Sequence, residues 1–523
     1  MDLTRDSSAD ASVPLKTWIA VSGTMLGAFL AVLNIQITNT ALPYIEGGIG
    51  TGGVNGTWIS TAYLIGEIIV VPITDFLSRA FSLRRYLLAN TVLFLLFSVL
   101  CGQATSLGEL VLFRALQGFT GGVLIPLAFT IIFSMLPPSK HSAGLAGFAI
   151  TAVFAPAIGP TIGGYLNDYY GWQWVFYVNL IPGAIMLAML WYALPRSRMQ
   201  LSLLRRGDWR GIALMAVGLA ALQAVLDDGN VYNWFASPYI VKLSLVATAA
   251  LALFVALEFV TAEPVLNLRL LGRRNFGFGT LGNFLLGFAL YAAAYLLPQY
   301  LAVTQGFDAE QAGMVIAWTG LPQLLVVPFV PFLMKRIDTR LLAGLGFVVF
   351  AASCLMNLSL DANYAAPQLF WPDVLRAVGT ALVFTPLSAI TMVGIAKAEA
   401  GAASGIFNMM RNLGGAVGTA AVETFLTRRE EFHSAVIGAH VSLLQPATRD
   451  RLADLQRYFM AHGAPDPAGA LHRAVIAIGH LINAQSTILS YGDCFGLLGA
   501  VLLAAVPAVA MLRKGAATGA PAH

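Results

Sequence analysis

Long apolar runs dominate this chain and leave it few ways to fold. Fourteen of them, each about 19 residues or more, fall near 17–43, 57–78, 84–103, 108–135, 142–167, 173–195, 208–227, 238–260, 275–301, 310–334, 340–360, 367–396, 400–426 and 488–512. A helix of about 20 apolar residues crosses a bilayer. In hydrocarbon the backbone must satisfy its own polar groups, so runs of this length are helices. The short alternating segments of a membrane barrel are a different pattern. Charged residues make up only 11% of the chain, against about 25% in soluble domains. So few charges cannot cover a water-facing surface. The first run starts near Trp18 after a polar stretch with no basic n-region, and reads as a retained helix rather than a cleaved signal.

The connections alternate in charge. One set carries Arg79, Arg84, Arg85, Lys140, Arg196, Arg198, Arg205, Arg206, Arg269, Arg273, Arg274, Lys335, Arg336, Arg340 and Lys397. Both termini join it through Arg5, Lys16, Arg513 and Lys514. The other set carries Glu46, Asp168, Asp227, Asp228, Asp308, Glu310 and Asp361. Basic connections stay cytoplasmic, so the alternation predicts fourteen spans with both termini inside. The expected layout is a tail over 1–16, a six-helix bundle over 17–195, a linker with two inserted helices over 196–274, a second six-helix bundle over 275–512, and a tail over 513–523. The second bundle includes a long outer, periplasmic loop over 427–486, of which 447–461 looks amphipathic and helical. Five of the seven histidines lie in that loop, at His433, His440, His462, His472 and His480, with spacings that match no metal-ligand pattern. Cys101, Cys354 and Cys494 each sit inside an apolar run and read as small buried residues. No metal site is expected.

Helix 5 reads Ala155-Pro156-Ala-Ile-Gly159-Pro160-Thr-Ile-Gly163-Gly164. Proline removes donors and bends a helix, and glycine admits a neighbouring backbone. Helix 4 reads Arg114-Ala-Leu-Gln117-Gly118-Phe-Thr-Gly121-Gly122, and helix 13 Ala403-Ser-Gly405-Ile-Phe-Asn408-Met-Met-Arg411-Asn-Leu-Gly414-Gly415. Helices 4 and 12 echo each other, Arg114 with Pro126-Leu127 and Arg376 with Pro386-Leu387. Duplicated halves are common in transporters, where two bundles rock about a central site.

With Asp208-Trp209-Arg-Gly211 at the start of the inserted pair, these runs resemble the major facilitator superfamily, in particular its fourteen-helix drug:proton antiporters of the EmrB/QacA type. The resemblance covers almost the whole chain. It implies export of hydrophobic compounds driven by proton influx, with protons the coupling ion and no cofactor. For Gram-negative members it also implies a periplasmic adaptor (EmrA type), an outer-membrane channel (TolC type) and a place in the inner membrane.

Two departures from the family pattern stand out. The helix 1 motif usually holds an aspartate, whereas this chain reads Leu33-Asn34-Ile-Gln36-Ile-Thr38-Asn39, and an amide does not titrate. The gating segment after helix 2, Asp75-Phe-Leu-Ser-Arg79-Ala-Phe-Ser82-Leu-Arg84-Arg85, has Asp75 and Ser82 where the family has glycines. Its usual close helix contact is therefore in question. Glu67, in the middle of helix 2, is the expected replacement acid. A carboxylate at that depth needs a partner, a proton or water. At 1.5 Å per residue Glu67 lies ~15 Å, Asn34 ~14 Å and Arg114 ~9 Å from the outer helix ends, so the three share one half of the first bundle. Glu67 is taken as the proton carrier and Arg114 as the charge that biases it. The competing reading is a purely structural pairing of Glu67.

Asp373 and Arg376, three apart on helix 12, either pair locally or join the coupling path, and Asp493 is a further candidate for it. The cavity candidates are Asn34, Gln36, Thr38, Tyr291, Trp318, Asn408 and Arg411, with Tyr291 on the one-sided stripe Phe284, Phe288, Tyr291 and Tyr295. No Walker sequence and no hydrolytic motif occurs, so neither an ATP-driven pump nor an enzyme is indicated, and nothing points to nucleic acid. The function expected is proton-coupled export of amphipathic drugs and toxic compounds. The alternatives are an exporter of one endogenous metabolite, such as a siderophore, fatty acid or aromatic acid, and a non-transporting membrane sensor.

Overall fold

The computed structural model describes residues 13–51, 53–261, 264–396, 399–464 and 466–513. Arg5, Lys397, Lys514 and nearly all of both tails lie outside them. The described residues are helical, with no strand among them. The principal helices are α1 (Leu15–Ile49), α2 (Trp58–Phe81), α3 (Leu83–Gln103), α4 (Leu107–Met135), α5 (His141–Tyr170), α6 (Trp174–Ala193), α7 (Trp209–Asp228), α8 (Pro238–Val260), α9 (Arg274–Gln305), α10 (Gln311–Arg336), α11 (Thr339–Ser359), α12 (Ala366–Thr391), α13 (Ala400–His440), α14 (Pro446–Ala461) and α15 (Pro467–Ala510).

Twelve of these are long and apolar enough to cross a membrane, and α5, bent by 43° between 138–156 and 158–170, makes a thirteenth. The bend lies where Pro156 and Pro160 remove backbone donors. Helix α13 falls short because Asn408, Arg411 and Asn412 dilute its apolar content, yet it packs on α2, α4, α9 and α15. The arrangement is compatible with fourteen spans.

Lipid removes the hydrophobic drive between helices, so close backbone approach and buried polar bonds hold them together. Helix α1 packs along α5, and α9 along α13, at matching positions in the first and last six helices. Gly163 makes the first pair possible, because a Cβ there would lie 3.1 Å from the Ile37 carbonyl oxygen. Gly159 rests on the Gln36 side chain, and the neighbouring Gly164 is buried. In the second pair, Gly418 sits against the backbone of Phe288 and Gly414 against that of Phe284. Gly118 of α4 presses on the Tyr63 carbonyl of α2, and this contact sets the spacing of Arg114 and Glu67.

The connections gather at two faces, as the charge alternation predicts. On the basic face Arg84 donates to the Trp191 carbonyl (2.6 Å) and Lys16 lies over the Tyr192 ring (5.6 Å). There too Arg273 pairs with Glu399 (2.9 Å), Arg274 donates to Met511 O (2.7 Å) and Arg340 to Leu512 O (3.1 Å). The described starts of α1 and α9 and the end of α15 thus share that face. On the acidic face Tyr300 donates to Tyr364 O (2.7 Å) and Asn230 to Thr427 (3.2 Å). The inserted pair α7–α8 opens with Asp208 as an N-cap, accepting from Gly211 N at 2.9 Å. Helix α7 then packs on both α2 and α13.

The long outer loop is not a loop. Residues 427–440 continue α13, 446–461 form α14, and 467–486 begin α15, so the segment is a helical projection. Sequence hydropathy ends where lipid ends, but a helix continues as long as its backbone bonds do. At 1.5 Å per residue α13 and α15 are ~60 Å long, about twice the hydrocarbon thickness.

Candidate functional site: charged residues between the two halves

Three arginines are buried among the membrane-spanning helices, and their surroundings differ. Arg114 of α4 is fully buried. Its Nε donates to Ile59 O (3.1 Å), and its Nη1 donates to Gln117 Oε1 (2.7 Å) and to Asn34 Oδ1. Its guanidinium lies over the Tyr63 ring at 4.3 Å. Gln117 in turn donates to Ser98 (2.7 Å). No carboxylate lies within ion-pair distance of Arg114 among the described residues. Neutral dipoles solvate the charge instead, and Asn34 contributes one of them.

Glu67 does not bond to Arg114. Its Oε1 accepts from Asn412 Nδ2 of α13 at 2.8 Å, so this carboxylate ties the first six helices to the last six. Glu67 is only 2% exposed, and its second oxygen has no partner. Arg411 and Arg114 both lie within its electrostatic reach.

A cavity opens beside this contact. Val32, Ile35, Gln36 and Pro156 line it from α1 and α5, and Leu290, Tyr291, Thr319, Arg376, Thr380 and Arg411 from α9, α10, α12 and α13. Its volume is about 40 Å³, room for a few waters and far below the roughly 300–1,000 Å³ of a drug-sized site. The halves touch on both sides of it. Towards the basic face Ser404 donates to Pro126 O (3.2 Å), and Phe129–Phe407 and Phe148–Phe384 ring centroids lie 6.1 and 5.9 Å apart. Towards the acidic face Gly313 of α10 rests on Thr161 of α5.

With this geometry in place, the comparisons decide the family. Residues 24–419 match the Major Facilitator Superfamily. The chain belongs to the Major Facilitator Superfamily. It is 32% identical to the fatty acid resistance protein FarB of Neisseria gonorrhoeae over 94% of this chain and 97% of that one. It is 31% identical to the multidrug export protein EmrB of Escherichia coli over 92% and 94%, and 30% identical to the colistin resistance protein EmrB of Acinetobacter baumannii over 94% and 96%. The fold matches the crystal structure of the human organic anion transporter MFSD10 with a TM-score of 0.55 at 14% identity, covering 93% of this chain and 99% of that one. This facilitator is thus a multi-pass transporter set in lipid and moves a small molecule; it is not an enzyme.

In this facilitator Gln36, Tyr291, Pro156, Arg376 and Arg411 line the cavity, and four other cavity candidates do not. Asn34 and Thr38 are buried, bound to Arg114 and to the Asn34 carbonyl (2.8 Å) respectively. Asn408 turns back onto Ser404 O (2.9 Å). Trp318 is 41% exposed and packs edge-on against Phe370, leaving its neighbour Thr319 to face the cavity. All four sit on helices that line the cavity but turn their side chains elsewhere. Asp373 and Arg376 form no direct ion pair among the described residues. Asp373 keeps one oxygen without a partner, and Arg376 donates to Ala293 O at 3.5 Å. Asp493 lies well away from the cavity. It accepts from Arg429 (2.6 Å) and His433 (2.7 Å) where α13 and α15 leave the membrane, and so it braces the projection.

The gating segment keeps its close contact despite losing two glycines. The Asp75 carboxylate pairs with Arg79 (3.0 Å) and packs on Gly401, so the small residue comes from α13. Ser82 adopts φ 73°, the backbone region that glycine would occupy without strain. Arg85 is exposed at the basic face beside Arg196 and Arg198. Sequence reasoning missed Asn412. It follows Arg411 directly in the quoted motif, and only its facing across to Glu67 distinguishes it.

Proposed function

We propose that this facilitator exports small amphipathic drugs and other toxic compounds across a bacterial inner membrane, driven by protons moving inward, by alternating access of the two helical halves. Both termini lie on the cytoplasmic side in this reading, and the six-plus-two-plus-six division describes the moving parts. Relatives named for multidrug export and for colistin and fatty acid resistance support the substrate breadth. A periplasmic adaptor and an outer-membrane channel complete the route in a two-membrane cell, and the helical projection is a natural place for the adaptor to rest.

The observation that carries the coupling is the Glu67–Asn412 hydrogen bond. A proton carrier has to sit where gaining a proton alters the fit of the halves. Glu67 is the buried carboxylate whose direct bond crosses between them. Ionised, it accepts strongly from Asn412 and attracts Arg411. Once it is protonated both attractions weaken and the halves are freer to part. Asp373, buried on α12 with an oxygen that has no partner, is the second acid on the path.

The test is efflux from proteoliposomes with and without an imposed proton gradient, for wild type and Glu67→Gln. The glutamine keeps the shape and can still accept from Asn412. Gradient-driven efflux is expected to vanish while downhill exchange persists. Full gradient-driven efflux by Glu67→Gln would overturn the assignment.

A further inference from the structure

We propose that the inserted pair α7–α8 is an outer latch: α7 is fixed to the first half, and the turn that follows it grips α13 of the last half through Asn230 and Trp234, so the halves part on the acidic face only when that grip is released. The proposal rests on the alternating-access reading and gives the two extra helices a part in it.

Helix α7 is attached to α2 at both ends. At the basic end Trp209 packs edge-on against Phe76 with ring centroids 6.2 Å apart, and Gln200 N, in the linker before the helix, donates to Ala80 O (2.8 Å). At the outer end Asp227 is hydrogen-bonded to Gln223 (2.9 Å) and to Thr61 of α2. Helix α8 packs on α7. The pair is therefore carried by the first half. Its polar grip on the last half lies in the turn over 229–237. There Asn230 donates to Thr427 (3.2 Å) and reaches Glu423 Oε1 (3.4 Å), and Trp234 Nε1 donates to Thr424 Oγ1 (3.0 Å). All three partners lie further out along α13 than Asn412. The turn thus spans the same α2–α13 seam that the Glu67–Asn412 bond crosses.

The backbone of the turn is bent to make that grip. Among the described residues three non-glycine residues have a positive φ, and two of them are Asn233 (59°) and Trp234 (52°). A bulky residue in the left-handed region is strained, and such strain persists only where the surroundings impose it. Here it turns the Trp234 indole inward while Tyr232 and Phe235 stay exposed. The ring rests on Gly229, where a Cβ would come within 2.7 Å of it, and the Trp234 backbone N–H donates to Gly229 O (2.6 Å). The indole N–H is a donor only, with one fixed direction, and Thr424 is its acceptor. When the halves rock apart on the acidic face, α13 leaves α2 and therefore leaves the pair. The bonds from Asn230 and Trp234 are the ones that must break, and their net strength sets how readily that face opens.

The experiment measures the separation across the acidic face by pulsed electron spin resonance on the full-length chain in lipid nanodiscs, with spin labels at Asp168→Cys in the first half and Asn363→Cys in the last. The three native cysteines are buried and stay unlabelled. Trp234→Phe keeps the ring and Thr424→Val keeps the size, so each removes one bond and spares the packing. Each is expected to raise the ratio of wide to narrow separation about fivefold, the weight of one hydrogen bond. The double variant is expected to give about fivefold again, because both changes remove the same bond, whereas independent effects multiply to about twenty-five-fold. Val231→Ala, on the exposed side of the turn, is expected to leave the ratio unchanged. An unchanged ratio in both single variants would overturn the latch, and so would multiplying effects in the double variant. Two wild-type separations that no variant shifts remove the latch and keep alternating access. A single separation, in wild type at acid and at neutral pH and in every variant, removes both. Ratios that shift as expected, with no gradient-driven efflux by wild type, keep the latch and remove the exporter.

Discussion

Arg114 in the first half and Arg411 in the second are both hidden from solvent, yet they are treated differently. Arg114 is surrounded by acceptors: an amide from α1, an amide from its own helix, a backbone carbonyl from α2 and an aromatic face. Arg411 has a ring face and an unmet donor. A buried cation held by three acceptors is a fastening, whereas one with an unmet donor can still take a partner. Asn34 makes the difference in the first half. An acid there would form a titrating pair with Arg114, while the amide meets the guanidinium at any pH. The first half thus has its arginine settled, and in the mechanism proposed above the titrating role falls to Glu67 at the boundary.

Several substitutions can break or sharpen this contrast. The largest effect is expected from Glu67→Gln, with complete loss of gradient-driven efflux in proteoliposomes. Next is Arg114→Gln, which strands the acceptors at Asn34, Gln117 and Ile59. It is expected to cost about 3 kcal/mol, at about 1–3 kcal/mol for each buried acceptor left unmet, seen as a marked fall in thermal midpoint of the detergent-solubilised protein. Arg114→Lys is expected to be nearly as harmful, because an ammonium cannot reach all three acceptors and stack on Tyr63. Arg411→Gln is expected to change thermal stability by less than about 1 kcal/mol; a loss as large as that of Arg114→Gln would erase the contrast. Ser82→Gly relieves a positive φ and is expected to add about 1 kcal/mol in the same thermal assay. Last, Asn34→Asp in the Glu67→Gln background is expected to restore no coupled efflux, because position 34 faces Arg114 rather than the boundary. Restored efflux would return the proton to helix 1.

Fold and class were legible because bilayer thickness and loop charge are read directly from sequence. The spans and the two faces follow from those signals, and the helix 5 kink from Pro156 and Pro160. The site was legible in depth and residue type, which is how Glu67, Arg411 and Tyr291 were singled out. Partners were not legible. Glu67 was matched with Arg114, its neighbour by depth, but bonds to Asn412, 345 residues away. Such pairing depends on helix rotation and on contact between halves, and no local pattern encodes either. The 427–486 segment was read as a loop because a water-exposed helix lacks the long apolar run that marks a span.

The projection has a mechanical consequence. Helices α13 and α15 run unbroken from the membrane interior to its tip, and the Asp493–Arg429–His433 cluster binds them together where they emerge. Asn412 lies on the same α13 rod, about a third of the way from the end opposite the tip. In the mechanism proposed above, a small tilt begun at Glu67 would be magnified with distance along this stiff lever to its tip. Anything seated there would sense the protonation state of a carboxylate it never touches.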